Sequence, residues 1–173
     1  MSYINRIILS FCLLNCCHIL CVAQLKESIT VTLNFDDMMQ PKVPAYLRKN
    51  DKSLKQYSMI IYVDEYDCPI CFINELYEWE ILMKSCKEAK VPIRFIFIFS
   101  PLNTEFSVFL KKLSSSSISD LSYVDVGGKF KEMNPWITNE HYSHFFIVDK
   151  NMVPIFVDNP QYSKDFLEQL KNL

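Results

Sequence analysis

The chain has 173 residues, half of them apolar and 14% aromatic, with only two glycines and a formal net charge of -2. That length suits one domain of about 100 to 200 residues. The composition excludes a disordered or glycine-rich fibrous chain. The near-neutral charge, with no clustered Lys and Arg, argues against a nucleic-acid partner.

The first element is an N-terminal segment, residues 1–23. Arg6 supplies a short positive region, residues 7–23 carry no charge, and Cys21-Val22-Ala23 offers small residues before Gln24. This is the pattern of a secretory signal peptide, with Gln24 as the expected mature N-terminus. A retained membrane anchor is the alternative, and lipidation at Cys16 or Cys21 is a weaker one. Of the seven cysteines, Cys12, Cys16, Cys17 and Cys21 fall in this segment, so Cys68, Cys71 and Cys86 remain. That is too few for a disulfide scaffold or a four-cysteine zinc site.

Residues 24–57 read as an N-terminal extension. Within it, residues 28–35 alternate as Ile29, Val31, Leu33 and Phe35, the period-2 mark of a strand with one buried face. Residues 36–56 are polar, interrupted by Pro41 and Pro44, with one short helix expected around 45–50. Residues 59–63 are a continuous apolar run, as in a strand covered on both faces. Residues 68–90 carry Phe72, Leu76, Trp79, Met83 and Cys86 at helical spacing, predicting one long amphipathic helix with Pro69 in its first turn.

A second apolar run at 91–99 and a helical pattern at 104–113 follow, so the chain alternates strand and helix, as parallel strands joined by a crossover do. The serine run 114–117 reads as a loop. Residues 121–126 predict a short strand ended by Gly127-Gly128, and 129–134 a helical turn. Residues 145–148 and 153–157 predict a hairpin across the polar turn 149–152. Phe166, Leu167 and Leu170 predict a C-terminal helix over 162–173.

The chemistry points to Cys68-Pro69-Ile70-Cys71. A cysteine reacts as its thiolate, and a free one, with a pKa of about 8.5, is mostly protonated at neutral pH. Unpaired N–H groups and the dipole at a helix start favour the anion at Cys68, and Cys71, one turn further, can resolve a mixed disulfide. Asp64, Glu65 and Asp67 oppose the dipole if they face the sulfur. In one continuous helix Cys86 would lie roughly 22 Å from Cys71, beyond the roughly 7 Å a bridge allows, so it reads as a buried thiol. His141 and His144 read as surface-loop histidines, solvated or hydrogen-bonded.

The run 59–63, the Cys68–Cys71 motif with its helix, the run 91–99 and the segment Phe145-Phe146-Ile147-Val148-Asp149-Lys150-Asn151 together resemble thioredoxin-like proteins. Within that superfamily the chain most resembles exported thiol-disulfide proteins of the bacterial envelope. The resemblance covers residues 58–173. It implies an α/β fold with a central mixed sheet, helices on both faces and, in this chain, an added N-terminal strand.

It also implies a redox-active disulfide, with Cys68 as nucleophile, Cys71 as resolving cysteine and Pro69 at the variable position between them. Asp67, Ile70, Phe72, Ser143 and His144 are expected to line the site. The implied partners are protein thiols or disulfides and an upstream redox partner, in the periplasm or at the envelope, with no cofactor and no bound metal. Two positions depart from the pattern. Asp67 stands where the family has tryptophan, and Tyr142-Ser143-His144 lacks the usual cis-proline, so that loop is expected to be trans or differently shaped.

Two other readings stay open from sequence. One is a copper-binding or copper-delivering module joining the cysteine pair to His141 or His144. The other is a non-catalytic binding domain in which the pair is a permanent disulfide.

Overall fold

The computed structural model describes residues 29–40, 56–138 and 144–157, together with positions 166 and 168. The N-terminal segment 1–23, the expected helix at 45–50, and both His141 and Ser143 lie outside the described residues, as does most of the expected C-terminal helix. Among the described residues no helix is long and apolar enough to cross a membrane.

Among the described residues, five strands form one mixed sheet in the order β3-β2-β1-β4-β5. They are β1 (Tyr57–Val63), β2 (Ile93–Phe99), β3 (Ser122–Val124), β4 (Phe145–Asp149) and β5 (Pro154–Val157). The parallel pairs are β1 with β2, Ile61 opposite Phe97, and β2 with β3. The antiparallel pairs are β1 with β4, Ile61 opposite Phe145, and β4 with β5.

The continuous apolar runs follow from this layering. Successive side chains of a strand point to opposite faces. Met59, Ile61, Val63, Phe95, Phe97, Phe99, Phe145 and Ile147 enter one core, while Ile60, Tyr62, Ile96, Ile98, Phe146 and Val148 enter the other. With both faces covered, neither set can be polar. The first core is closed by α1 (Pro69–Asn74), α2 (Tyr77–Glu88) and α3 (Phe106–Ser115), the second by α4 (Lys129–Met133) and the N-terminal extension.

Two sequence expectations are corrected. Residues 29–34 do not form a strand. Val31 is buried, with Leu33 and Phe35 packed on the second core, so the alternation did mark an inward face. The backbone, however, is held by other partners. Val31 N donates to the Met152 carbonyl at 2.8 Å, Thr32 N donates to Asn134 Oδ1 at 2.8 Å, and Asn134 Nδ2 donates to the Thr32 carbonyl at 2.8 Å. Among the described residues the extension meets the sheet through an isolated bridge, Met39 opposite Val124. Asn134 Nδ2 also reaches the Phe130 carbonyl, at 2.7 Å. Replacing Asn134 by Ala should therefore lower stability by about 2 to 3 kcal/mol. Urea unfolding checks it, and a loss below about 0.5 kcal/mol would show the extension is held without this side chain.

The helix expected over 68–90 is two helices. Glu75 N donates to the Phe72 carbonyl, a three-residue closure that tightens and ends α1. Glu80 N then donates to the Leu76 carbonyl as α2 begins. The inward stripe survives the break, because Leu76, Trp79 and Cys86 are buried and Phe72 and Met83 pack against the same core. Lys112 of α3 donates to Asn74 Oδ1, fixing the end of α1.

Candidate redox site

The polypeptide leaves β1 at Val63 and makes a 3-10 turn, Glu65–Asp67, before α1. Cys68 is the N-cap of α1 and Pro69 its first residue. Proline suits that place because its φ is already helical and its missing N–H would have no helical partner. Cys68 and Cys71 are joined in a disulfide with Cα atoms 5.2 Å apart, and both residues are exposed. Cys68 has φ of 51°, in the left-handed region, which costs a non-glycine residue on the order of 1 kcal/mol or more. The surroundings must hold it there.

The turn before it is tied at both ends. Asp64, buried, accepts a hydrogen bond from Tyr66 N at 2.9 Å through Oδ1 and pairs with Lys131 Nζ of α4 at 2.9 Å through Oδ2. Asp67 Oδ2 lies 2.7 Å from His144 Nδ1, just before β4. His144 Nε2 lies 2.8 Å from the Thr138 carbonyl. A carbonyl oxygen and an ionised carboxylate only accept, so with Asp67 ionised both ring nitrogens donate and the ring is an imidazolium.

Burial alone would lower the His144 pKa. The Asp67 hydrogen bond, the Thr138 carbonyl and the charges of Asp67 and Asp64 outweigh it, and the pKa is raised. Tyr62 of β1 meets the imidazole edge-on at 5.5 Å. Its own pKa is raised, first by burial and then by the Asp64 charge.

Several expected site residues are placed by this geometry. Pro69 is buried, Ile70 is half-buried against the first core, and Phe72, expected to line the site, turns its ring inward to 5.8 Å from Phe99 and 6.0 Å from Trp79. His144, read from sequence as a surface-loop residue, is 1% exposed. The carboxylates feared to oppose Cys68 are mostly committed elsewhere, Asp64 to Lys131 and Asp67 to His144, while Glu65 is exposed. Cys86 is buried and free, its pKa pushed up to about 11 by burial, which leaves it an inert thiol.

Sequence reasoning missed Lys131 and Thr138. A lysine on a short helix and a backbone carbonyl carry no signal until the fold brings them in. Asp64, Asp67 and His144 place their ligand-type atoms within 4.8 Å of one another, and no cysteine joins them. Those atoms are engaged with Tyr66, Lys131, Thr138 and each other, so this group reads as an internal ion-pair network.

Beside the turn, a cleft of about 690 Å³ opens at the carboxyl ends of β1, β2 and β3. Its rim carries Tyr66, Leu102 and Val126, three large apolar side chains left exposed. Gly128, with φ of 66°, turns the chain there into α4, where Asp125 caps Lys129 N and Phe130 N.

No model of a known protein family matches the sequence, and no curated protein does. Among solved structures, a domain of a possible thiol-disulfide isomerase from Cytophaga hutchinsonii is similar, with a TM-score of 0.52 and 16% sequence identity. The similarity covers 83% of this chain and 91% of that one. The fold of this chain is thioredoxin-like, in agreement with the sequence expectation.

Proposed function

We propose that this thioredoxin-like chain is a thiol-disulfide oxidoreductase of the bacterial envelope, exported through its N-terminal segment and acting on protein thiols or disulfides. The observation that carries this reading is the exposed Cys68–Cys71 disulfide at the start of a helix that follows a central strand after one 3-10 turn. A thiol pair there reaches a second protein, whereas a bridge serving only stability needs no exposure. The Cytophaga neighbour, described as a possible thiol-disulfide isomerase, supports the same class of chemistry.

In the reducing direction the Cys68 thiolate attacks one sulfur of a substrate disulfide. A mixed disulfide forms, and the other substrate sulfur leaves as a thiolate. Cys71 then loses its proton to solvent and attacks the Cys68 sulfur. The second substrate thiolate leaves, both substrate thiolates take up protons, and the Cys68–Cys71 disulfide remains. Two electrons pass to the substrate. The oxidising direction is the reverse, and an upstream redox partner restores the starting form. The apolar rim of Tyr66, Leu102 and Val126, beside the turn that leads to Cys68, supports a polypeptide substrate, which can lay side chains there.

The test is a titration of the Cys68–Cys71 couple against glutathione, read by mass after thiol alkylation, with disulfide exchange on a denatured protein substrate measured alongside. A couple that equilibrates with the buffer, and a Cys68→Ser chain that loses exchange, are the expected results. A bridge that stays oxidised throughout, as structural disulfides with potentials below about -300 mV do, or a Cys68→Ser chain with full exchange, would overturn the proposal.

A further inference from the structure

The geometry points to His144 as a positioning residue for the dithiol: its imidazolium neutralises Asp67, the residue preceding Cys68, and pins the turn that holds Cys68 in its left-handed conformation. This rests on the redox reading above and adds to it the group that sets the charge beside the nucleophile.

The contacts are specific. Adjacent Cα atoms are about 3.8 Å apart, so the Asp67 carboxylate can lie no further from the Cys68 sulfur than the roughly 10 Å over which charges act at ordinary salt. A carboxylate there disfavours a thiolate at Cys68. The imidazolium 2.7 Å from Asp67 Oδ2 cancels that charge, and its second hydrogen bond, to the Thr138 carbonyl, fixes the ring. His144 leads directly into β4, which pairs with β1 through Ile61 opposite Phe145. The sheet thus anchors the imidazole while Asp67 carries the restraint to Cys68.

Among the described residues, the charged and titratable groups that face this pair include Asp64 from the same turn, itself paired with Lys131 of α4, and Tyr62 from β1. Lys131 counters Asp64 at 2.9 Å, and the His144 imidazolium is the counter-charge in contact with Asp67 at 2.7 Å. In the cycle, reduction adds two electrons to the disulfide. If Cys68 stays a thiolate and Cys71 becomes a thiol, one proton is taken up. Whatever disfavours that thiolate disfavours the reduced form.

The experiment compares the parent chain, His144→Gln, and the double variant Asp67→Asn with His144→Gln. Two quantities are read: the thiolate titration of Cys68 in phosphine-reduced protein, followed by ultraviolet absorbance, and the equilibrium of the couple with glutathione at neutral pH. His144→Gln removes the imidazolium charge from beside Asp67. It should lower the Cys68 ionisation constant on the order of tenfold and shift the glutathione equilibrium toward disulfide by up to that factor, at most about 30 mV for two electrons.

The double variant removes both charges together. It leaves no lone buried ion, so it folds even where His144→Gln does not, and both readouts should return most of the way to the parent. The proposal is overturned if His144→Gln leaves the thiolate titration unchanged, or if the double variant departs from the parent as far as a folded single variant does. The thiolate titration needs no exchange activity. A chain that never equilibrates with glutathione would therefore defeat the oxidoreductase reading while leaving this one separately readable.

Discussion

Replacing His144 by Leu is expected to lower the stability of the oxidised protein by about 3 to 5 kcal/mol, the usual result of removing one partner of a buried ion pair. The Asp67 side chain is 13% exposed and that of His144 1%, so the stranded carboxylate has little access to water. Asp67→Ala should cost less. An imidazole that loses its partner can release its proton and become neutral near pH 7, whereas a carboxylate must wait for far lower pH to do the same.

The effect carries a pH signature. The His144 pKa is raised in the folded state, so its contribution is fully present below the unfolded value of about 6.5 and is lost as pH rises through the folded value. Between the two, the folded state holds a proton that the unfolded chain has released. The difference between parent and His144→Leu should then shrink by about 1.4 kcal/mol per pH unit. Urea unfolding at about pH 6 and at mildly alkaline pH measures this. A difference below about 1 kcal/mol at the lower pH, or one that grows with pH, would mean the pair does not stabilise the fold as an ion pair.

That contact also shows what the sequence could and could not reveal. Residues 59–63 and 91–99 were legible as central strands because a strand covered on both faces is apolar at nearly every position, with the half-buried Arg94 interrupting the second run, and their alternate residues do enter two separate cores. The dithiol was legible because its spacing and its place after a strand are local. The helical pattern at 104–113 and the turn 149–152 were legible for the same reason, although the helix runs on through Ser114 and Ser115, read from sequence as the start of a loop.

What stayed hidden depends on partners far along the chain. Asp67 and His144 are 77 residues apart, and nothing in their surroundings announces the pair. Val31, Leu33 and Phe35 alternate as a strand does, yet alternation reports only which side is buried. It says nothing about what receives the backbone hydrogen bonds, which here are Met152 and, 102 residues away from Thr32, Asn134. The break between α1 and α2 falls on a stripe whose inward residues continue through it, so periodicity alone could not locate it.

The second large effect is expected from Trp79→Ala, which should destabilise the chain by about 3 to 5 kcal/mol. Trp79, 2% exposed on α2, stacks on Phe145 of β4 at 5.6 Å. It also meets Phe97 of β2 and Phe72 of α1, each at 6.0 Å. Removing the indole opens a cavity that three elements border, and a close-packed interior closes such a space only partly.

The loss should fall unevenly. An isolated helix shorter than about 12 residues is marginal in water, so the six-residue α1 depends on Phe72 packing against Trp79, Phe97 and Phe99. Amide hydrogen exchange should show α1 losing more protection than α3, whose Phe109 and Leu113 do not rest on the indole in the same way. A surface control, Val108→Ala on α3 at a residue 58% exposed, should change stability by less than about 0.5 kcal/mol. Equal loss of protection in α1 and α3 would mean that Trp79 holds the domain as a whole. Selective loss in α1 would mean that the core tryptophan sets the rigidity of the helix carrying Cys71, and through it the geometry in which Cys68 and Cys71 meet.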